Sequence, residues 1–206
     1  MSTEQGGTLA ILTRGINEDG SMNEATGLRA EIGYNYLQQH ESEVTRIVPI
    51  GGWALGTDRP PNGATEAGGV GDYLRGRGIS GAIIDEENLS RTSIQGAIEL
   101  ARKANEGNWI IDENHPLFVV CSWIQFARFR PIARQAMGLS QNAVVNVQVP
   151  EKFSFSGLLE VSMVPYQTLL QMWAPPKNLS RTAKTDKIIE ATVGRLVRGR
   201  KGFLGR

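Results

Sequence analysis

A short apolar run that passes directly into a helical pattern constrains the fold of this chain most strongly. Leu117 to Val120 is typical of a buried strand, and Cys121-Ser122 ends it. The helical pattern that follows at once carries Gln125 and Arg128 in its first turns. This arrangement is typical of a parallel sheet, where a buried strand delivers polar side chains to the edge at which α/β proteins bind ligands.

The same order of strand, polar turn and helix recurs three times upstream. Strands are predicted over Thr8–Thr13, Arg46–Ile50 and Gly81–Asp85, and helices over Ala25–Gln39, Thr65–Arg77 and from Ser90 or Thr92 to about Ala104. A fifth strand over Ala143–Val149 and a helical segment over Gly157–Trp173 follow. The sequence therefore predicts an α/β protein, a three-layer Rossmann-like parallel sheet with helices on both faces and a C-terminal helical tail.

Composition excludes several classes of protein. The single cysteine cannot form an intramolecular disulfide, and the two histidines, His40 and His115, lie far apart. No Cys/His spacing suits a metal, so no metal cofactor is expected. The N-terminal stretch has no basic region before its apolar run, and no stretch reaches the ~18 apolar residues of a membrane span. We therefore expect a cytoplasmic protein.

Charge divides the chain into two parts. Residues 177–206 carry nine Lys/Arg against two acidic residues, whereas residues 1–176 carry 13 Lys/Arg against 19 Asp/Glu. We interpret 1–176 as the Rossmann-like domain and 177–206 as a basic C-terminal helix. Its apolar face would pack against the body or form a homo-oligomer, while its basic end allows an anionic membrane surface or nucleic acid as partner.

Four groups of residues are predicted to meet at the carboxyl ends of the strands. They are Thr13-Arg14-Gly15, Gly51-Gly52-Trp53, Glu86-Glu87 with Ser90 to Ser93, and Cys121-Ser122 with Gln125 and Arg128. Arginine side chains bind phosphate or carboxylate oxygens, and helix N-termini favour anions. Glycine lets backbone N–H groups approach a ligand closely. The pattern predicts a site for a small anionic molecule.

The order of these motifs is similar to a known domain. It comprises Arg29 on the first helix, Gly51-Gly52, Glu66, a Glu-x-x-Ser-Arg-Thr-Ser turn (Glu87 to Ser93) and Cys-Ser-x-x-Gln-x-x-Arg. From about Leu9 to Gln148 the chain resembles the domain shared by YdcF, SanA and ElyC, bacterial proteins of Rossmann-like fold whose chemistry is poorly defined.

Two positions depart from that family pattern. Gln95 stands where the family shows Glu, and Gln125 stands where it shows His. An amide can orient a substrate but cannot exchange protons at neutral pH. If the family transfers protons through those groups, this chain has lost that chemistry or relocated it.

We therefore expect an enzyme, a transferase or hydrolase acting without a metal on a small anionic metabolite or a nucleotide-like ligand such as one resembling S-adenosylmethionine. Glu66 or Glu87 would be the acid or base, and Gln125 would orient the substrate. The predicted ligand-binding residues are Arg14, Gly15, Arg29, Gly51, Gly52, Trp53, Ser90, Arg91, Thr92, Ser122, Trp123 and Arg128. The alternative is a non-catalytic binding or regulatory protein that kept the fold and lost the acid/base residues.

Overall fold

A computed structural model describes residues 6–53 and 62–150. The strands are β1 (Gly7–Leu12), β2 (Val44–Ile50), β3 (Leu117–Cys121) and β4 (Val144–Gln148). The helices are α1 (Glu24–Gln39), α2 (Glu66–Gly76), α3 (Ser93–Glu106) and α4 (Trp123–Met137). The strands form one all-parallel sheet in the order β2-β1-β3-β4. The predicted helix over 157–173, the domain boundary at 176 and the basic tail lie outside the described residues.

Helices cover both faces of this sheet, which confirms the three-layer α/β architecture. Buried residues of α1 and α2, including Ala30 and Leu74, pack with Leu9 and Ile11 on one face. Buried residues of α3 and α4, including Leu100, pack with the other face. The apolar residues of β1 and β3 are buried on both sides, as a central parallel strand requires.

The predicted strand over Gly81–Asp85 is wrong. Gly81–Ile83 forms a single 3₁₀ turn, whose first residues are capped by the Ser80 side chain accepting from the Ala82 amide. The chain then runs parallel to β2, and the amides of Asp85 and Glu87 donate to Ile47 O and Pro49 O at 2.9 Å.

Pro49 explains why this segment makes bridges without becoming a strand. In a parallel ladder the amide of residue 49 would donate to the carbonyl of Asp85, but proline has no N–H. The ladder therefore lacks the hydrogen bond that would join the Ile47–Ile84 bridge to the Ile50–Glu87 bridge. An apolar run in its own sequence predicted the strand, whereas the residue that prevents it lies in the neighbouring strand.

The topology creates a switch point at the carboxyl edge of the sheet. The connection after β1 leads to α1 on one face, and the connection after β3 leads to α4 on the opposite face. Adjacent strands whose connections diverge leave a crevice between their carboxyl ends. No helix within 6–53 or 62–150 has the length and apolar character needed to cross a membrane.

Candidate functional site

A cleft of about 250 Å³ lies at this switch point. The ends of β1 and β2, the first residues of α2 and α3 and the first two turns of α4 form its walls. Its lining residues are Leu12, Thr13, Arg14, Gly15, Ile50, Gly51, Glu66, Ser90, Arg91, Thr92, Ser93, Gln125 and Arg128. The structure thus brings together nine of the predicted site residues, from five separate segments of the chain.

Gly51 is required by the way β2 ends. Its φ angle is +150°, which disfavours any residue with a Cβ atom. A Cβ built there would overlap the Thr13 hydroxyl and lie 3.0 Å from Glu66 Oε2. The absence of a side chain at Gly51 therefore lets β1, β2 and α2 meet at the floor of the cleft.

The amides of Gly51 and Gly52 hold protein segments together, which corrects the prediction that they bind a ligand. The Gly51 amide donates to Glu87 O at 2.9 Å, and the Gly52 amide donates to Ser90 O at 2.6 Å. Their carbonyls accept from the first two amides of α2, those of Glu66 and Ala67. The Gly-Gly pair is therefore a joint between β2, α2 and the 87–90 loop.

Glu66 is the carboxyl group that reaches the cleft. It is the first residue of α2, where the positive end of the helix dipole favours a negative side chain. The Thr13 hydroxyl lies 2.5 Å from Glu66 Oε2 and 2.7 Å from Ile50 O. Its single proton serves one of these acceptors at a time. Glu66 is buried beside a hydroxyl that can exchange hydrogen-bond partners.

Glu87 occupies a different environment and does not line the cleft. Its side chain is buried and accepts from the amides of Leu89 and Ser90, at 2.7 and 3.0 Å, and from the Ser90 hydroxyl. Burial raises its pKa above the ordinary value of 4.5, against the lowering effect of these hydrogen bonds. Glu87 shapes the loop that receives the Gly51 and Gly52 amides.

Three of the four predicted arginines line the cleft. They are Arg14, Arg91 and Arg128. Arg29 does not, because it is fully buried and donates from Nη1 to Leu12 O at 2.7 Å and to Thr13 O at 3.1 Å. It fixes the carboxyl end of β1, which corrects its predicted role in holding the ligand.

The aromatic and serine residues predicted as ligand contacts lie beside the lining. The Arg91 guanidinium lies 5.1 Å from the centre of the Trp53 ring, so Trp53 contacts a residue of the cleft wall. Ser122 is the buried N-cap of α4, and its side chain makes no capping hydrogen bond. Trp123 is 54% exposed and does not line the cleft.

The two amide side chains that depart from the family pattern have different roles. Gln95 Oε1 accepts from the Arg91 amide at 2.8 Å and so stabilises the entry to α3, which Thr92 also caps. Gln125 lines the cleft and is only 8% exposed. Its Oε1 atom is buried and has no hydrogen-bond partner among the described residues.

Thr13 and Ser93 were expected at the strand ends without a specific role, and Thr26 was not expected there. Thr26 Oγ1 accepts from the Arg14 amide at 3.0 Å and donates to Gly15 O at 2.7 Å, which fixes the loop carrying Arg14. Thr13 was visible as a polar residue directly after a buried strand. The role of Thr26 had no such local signal, because its partners precede it by 11 and 12 residues.

Comparison with known proteins gives no match. No family model fits the chain, and no curated protein or solved structure is significantly similar to it. The resemblance to the YdcF, SanA and ElyC domain therefore stays a prediction from motif order. Within 6–53 and 62–150, no three His, Cys, Asp or Glu side chains are grouped to hold a metal ion.

Proposed function

We propose that this chain binds a small phosphate monoester, or a metabolite of similar negative charge, in the cleft at the carboxyl edge of its sheet. The observation that carries this proposal is the charge of the lining. Among the described residues that line the cleft, Arg14, Arg91 and Arg128 carry guanidinium groups and Glu66 carries a carboxyl group. A phosphate monoester carries a charge of about −1.5 to −2 at pH 7, and its oxygens are the acceptors that guanidinium groups bind in pairs.

The backbone adds to the attraction for anions. Thr92 and Ser93, the N-cap and first residue of α3, both line the cleft. The first amides of a helix have no acceptor within the helix, and the helix dipole makes this end positive. The guanidinium groups and the start of α3 therefore act on the same bound anion.

As an enzyme, the protein would use Glu66 as its acid or base. Glu66 is the only carboxyl among the lining residues described, and that lining contains no histidine. The Thr13 hydroxyl beside it would reorient when the carboxyl gains or loses a proton. We favour a hydrolase or transferase acting on the bound ester. The same scarcity of acid/base groups supports the second candidate, a binding protein that does not turn its ligand over.

Calorimetric titration with inorganic phosphate and with small phosphate esters tests the binding claim. Arg128→Ala removes a charge-assisted contact, so the dissociation constant should rise by a factor of about 10 to 100. Arg102→Ala is the matched control, because Arg102 is an exposed α3 residue paired with Glu99 and Glu106, outside the lining. Equal affinities for both variants and the wild type would contradict the proposal.

Glu66→Gln separates the two functional candidates. In an enzyme, this variant should bind the ester with an affinity within about threefold of the wild type and lose turnover by a factor of about 100 or more. In a binding protein, neither the wild type nor the variant should release phosphate. Product formation and binding are measured on the same preparation, so that misfolding is detected by loss of both.

A further inference from the structure

The unpartnered carboxamide of Gln125 points to the chemistry of the ligand beyond its anionic group. An acceptor that is buried without a hydrogen bond destabilises the folded protein, because it has lost its contact with water and gained no partner. Gln125 lies in the cleft wall, nine-tenths buried, with Oε1 in this state. A ligand group that donates to this oxygen would recover the missing hydrogen bond.

Gln125 is adjacent to the proposed anion site. It precedes Arg128 by three positions on α4, and residues at that spacing are neighbours on one helix face. Both residues line the cleft. The last torsion of a glutamine side chain is broad and roughly two-fold, so the carboxamide can turn its oxygen toward the cleft at low cost. When Arg128 binds the anionic group of a ligand, the ligand atoms next to that group therefore lie beside Gln125.

Glu66 supplies a second acceptor in the same cleft. Its carboxylate has about four acceptor positions, and the contact with Thr13 occupies one of them. The lining therefore combines arginines, which bind only acceptors, with two groups that require donors. A bare anion such as phosphate or an alkyl phosphate satisfies the arginines, but it leaves Gln125 Oε1 without a donor and Glu66 with the Thr13 hydroxyl alone.

Building on the function proposed above, we infer that the ligand is a hydroxylated phosphate monoester, a small polyol or sugar phosphate. The phosphate lies against the arginines, and a hydroxyl group donates to Gln125 Oε1 or to Glu66. The cleft volume of about 250 Å³ equals roughly eight water molecules, and so accommodates about ten non-hydrogen atoms. A three-carbon polyol phosphate is of this size.

A matched pair of ligands tests this inference. Glycerol 3-phosphate and n-propyl phosphate share a three-carbon ester, and only the first carries hydroxyl groups. The wild type should bind glycerol 3-phosphate at least about tenfold more tightly, because a site built to hydrogen-bond a hydroxyl discriminates against its absence. Gln125→Met, which keeps the shape of the side chain and removes its polar atoms, should reduce the preference for glycerol 3-phosphate over propyl phosphate to about threefold or less.

The possible outcomes test the recognition of a ligand hydroxyl separately from the anion binding on which it rests. Equal wild-type affinities for the two esters, or a preference that Gln125→Met leaves intact, would overturn the inference while the anion site stands. If inorganic phosphate and both esters fail to bind the wild type, the anion site itself is refuted. The melting temperature of unliganded Gln125→Met provides the folding control, and it should equal or exceed that of the wild type, since an unsatisfied buried oxygen is removed.

Discussion

Two helix N-termini at the carboxyl edge of this sheet differ in how their polar groups are used. At α2, the amides of Glu66 and Ala67 donate to the carbonyls of Gly52 and Gly51, and the Gly68 amide donates to the Thr65 hydroxyl. At α4, the Ser122 side chain caps nothing, and the oxygen of Gln125 has no described partner. The α2 side is a fully hydrogen-bonded joint, whereas the α4 side retains groups that a ligand can satisfy.

The cleft therefore has one wall whose backbone amides are hydrogen-bonded within the protein and another wall whose polar side chains can bind a ligand. The α2 side fixes Glu66 through Gly51, Gly52 and the loop that Glu87 organises. The α4 side presents Gln125 and Arg128 to whatever enters. Mutations of Gly51 and Glu87, which hold the joint together, should change stability, and mutations of Gln125 and Arg128 should change binding.

The largest expected effect comes from breaking the joint with Gly51→Ala. The positive φ and the overlap with Thr13 should together reduce the free energy of unfolding by about 3 kcal/mol or more. Urea denaturation measures this loss. Gly76→Ala is the matched control, because Gly76 ends α2 with nothing within 4 Å of an added Cβ. It should leave stability unchanged or raise it by up to about 1 kcal/mol.

The next effect concerns Glu87, the buried carboxyl of the same joint. Because its folded pKa lies above 4.5, the folded state binds the proton more tightly than the unfolded chain does. Its contribution to stability is therefore fully present below pH 4.5 and is lost as the pH rises through the folded pKa.

Glu87→Gln should remove that loss. The free energy of unfolding of the variant, minus that of the wild type, should therefore rise between pH 4 and pH 7. Urea unfolding across this pH range measures the difference. Stability curves that run parallel for the two proteins would contradict the account of Glu87.

A smaller pair of effects sharpens the comparison of the two helix ends. Thr65→Ala removes a capping bond of 3.0 Å at α2 and should cost about 1 kcal/mol. Ser122→Ala removes a side chain that caps nothing at α4 and should cost less than about 0.5 kcal/mol. Thermal and urea unfolding of the two variants are compared. A larger cost at Ser122 than at Thr65 would reverse the comparison.

The sequence predicted most of the fold, because most of its elements are marked locally. Apolar runs bounded by glycine and polar residues located β1 to β4 to within two residues, and apolar periodicity located α1, α2 and α3 to within three residues, together with the start of α4. The segment over 81–85 failed because Pro49, in a different strand, removes a donor from its ladder.

The sequence predicted which segments meet at the strand ends, and nine of the predicted site residues line the cleft there, whereas the hydrogen-bond partners of several candidate residues were not predictable. Arg29 resembles an anion ligand in the sequence, but its partners are carbonyls 16 and 17 residues away. The Gly51 and Gly52 amides resemble ligand donors, but their acceptors lie in the loop from Glu87 to Ser90. The position of a residue at a strand end follows from the local sequence pattern. Its hydrogen-bond partners, in contrast, lie in segments that are distant in the sequence and are known only from the folded structure.

The most direct test of the central claim is a two-dimensional amide NMR titration of the ¹⁵N-labelled chain with inorganic phosphate. The account predicts that the largest saturating shifts occur at Ser93 and Gln125, with much smaller shifts at Ala67 and Gly68, whose amides already donate within the joint. Shifts centred on α2, or no saturating shift in any amide of the cleft, would contradict it.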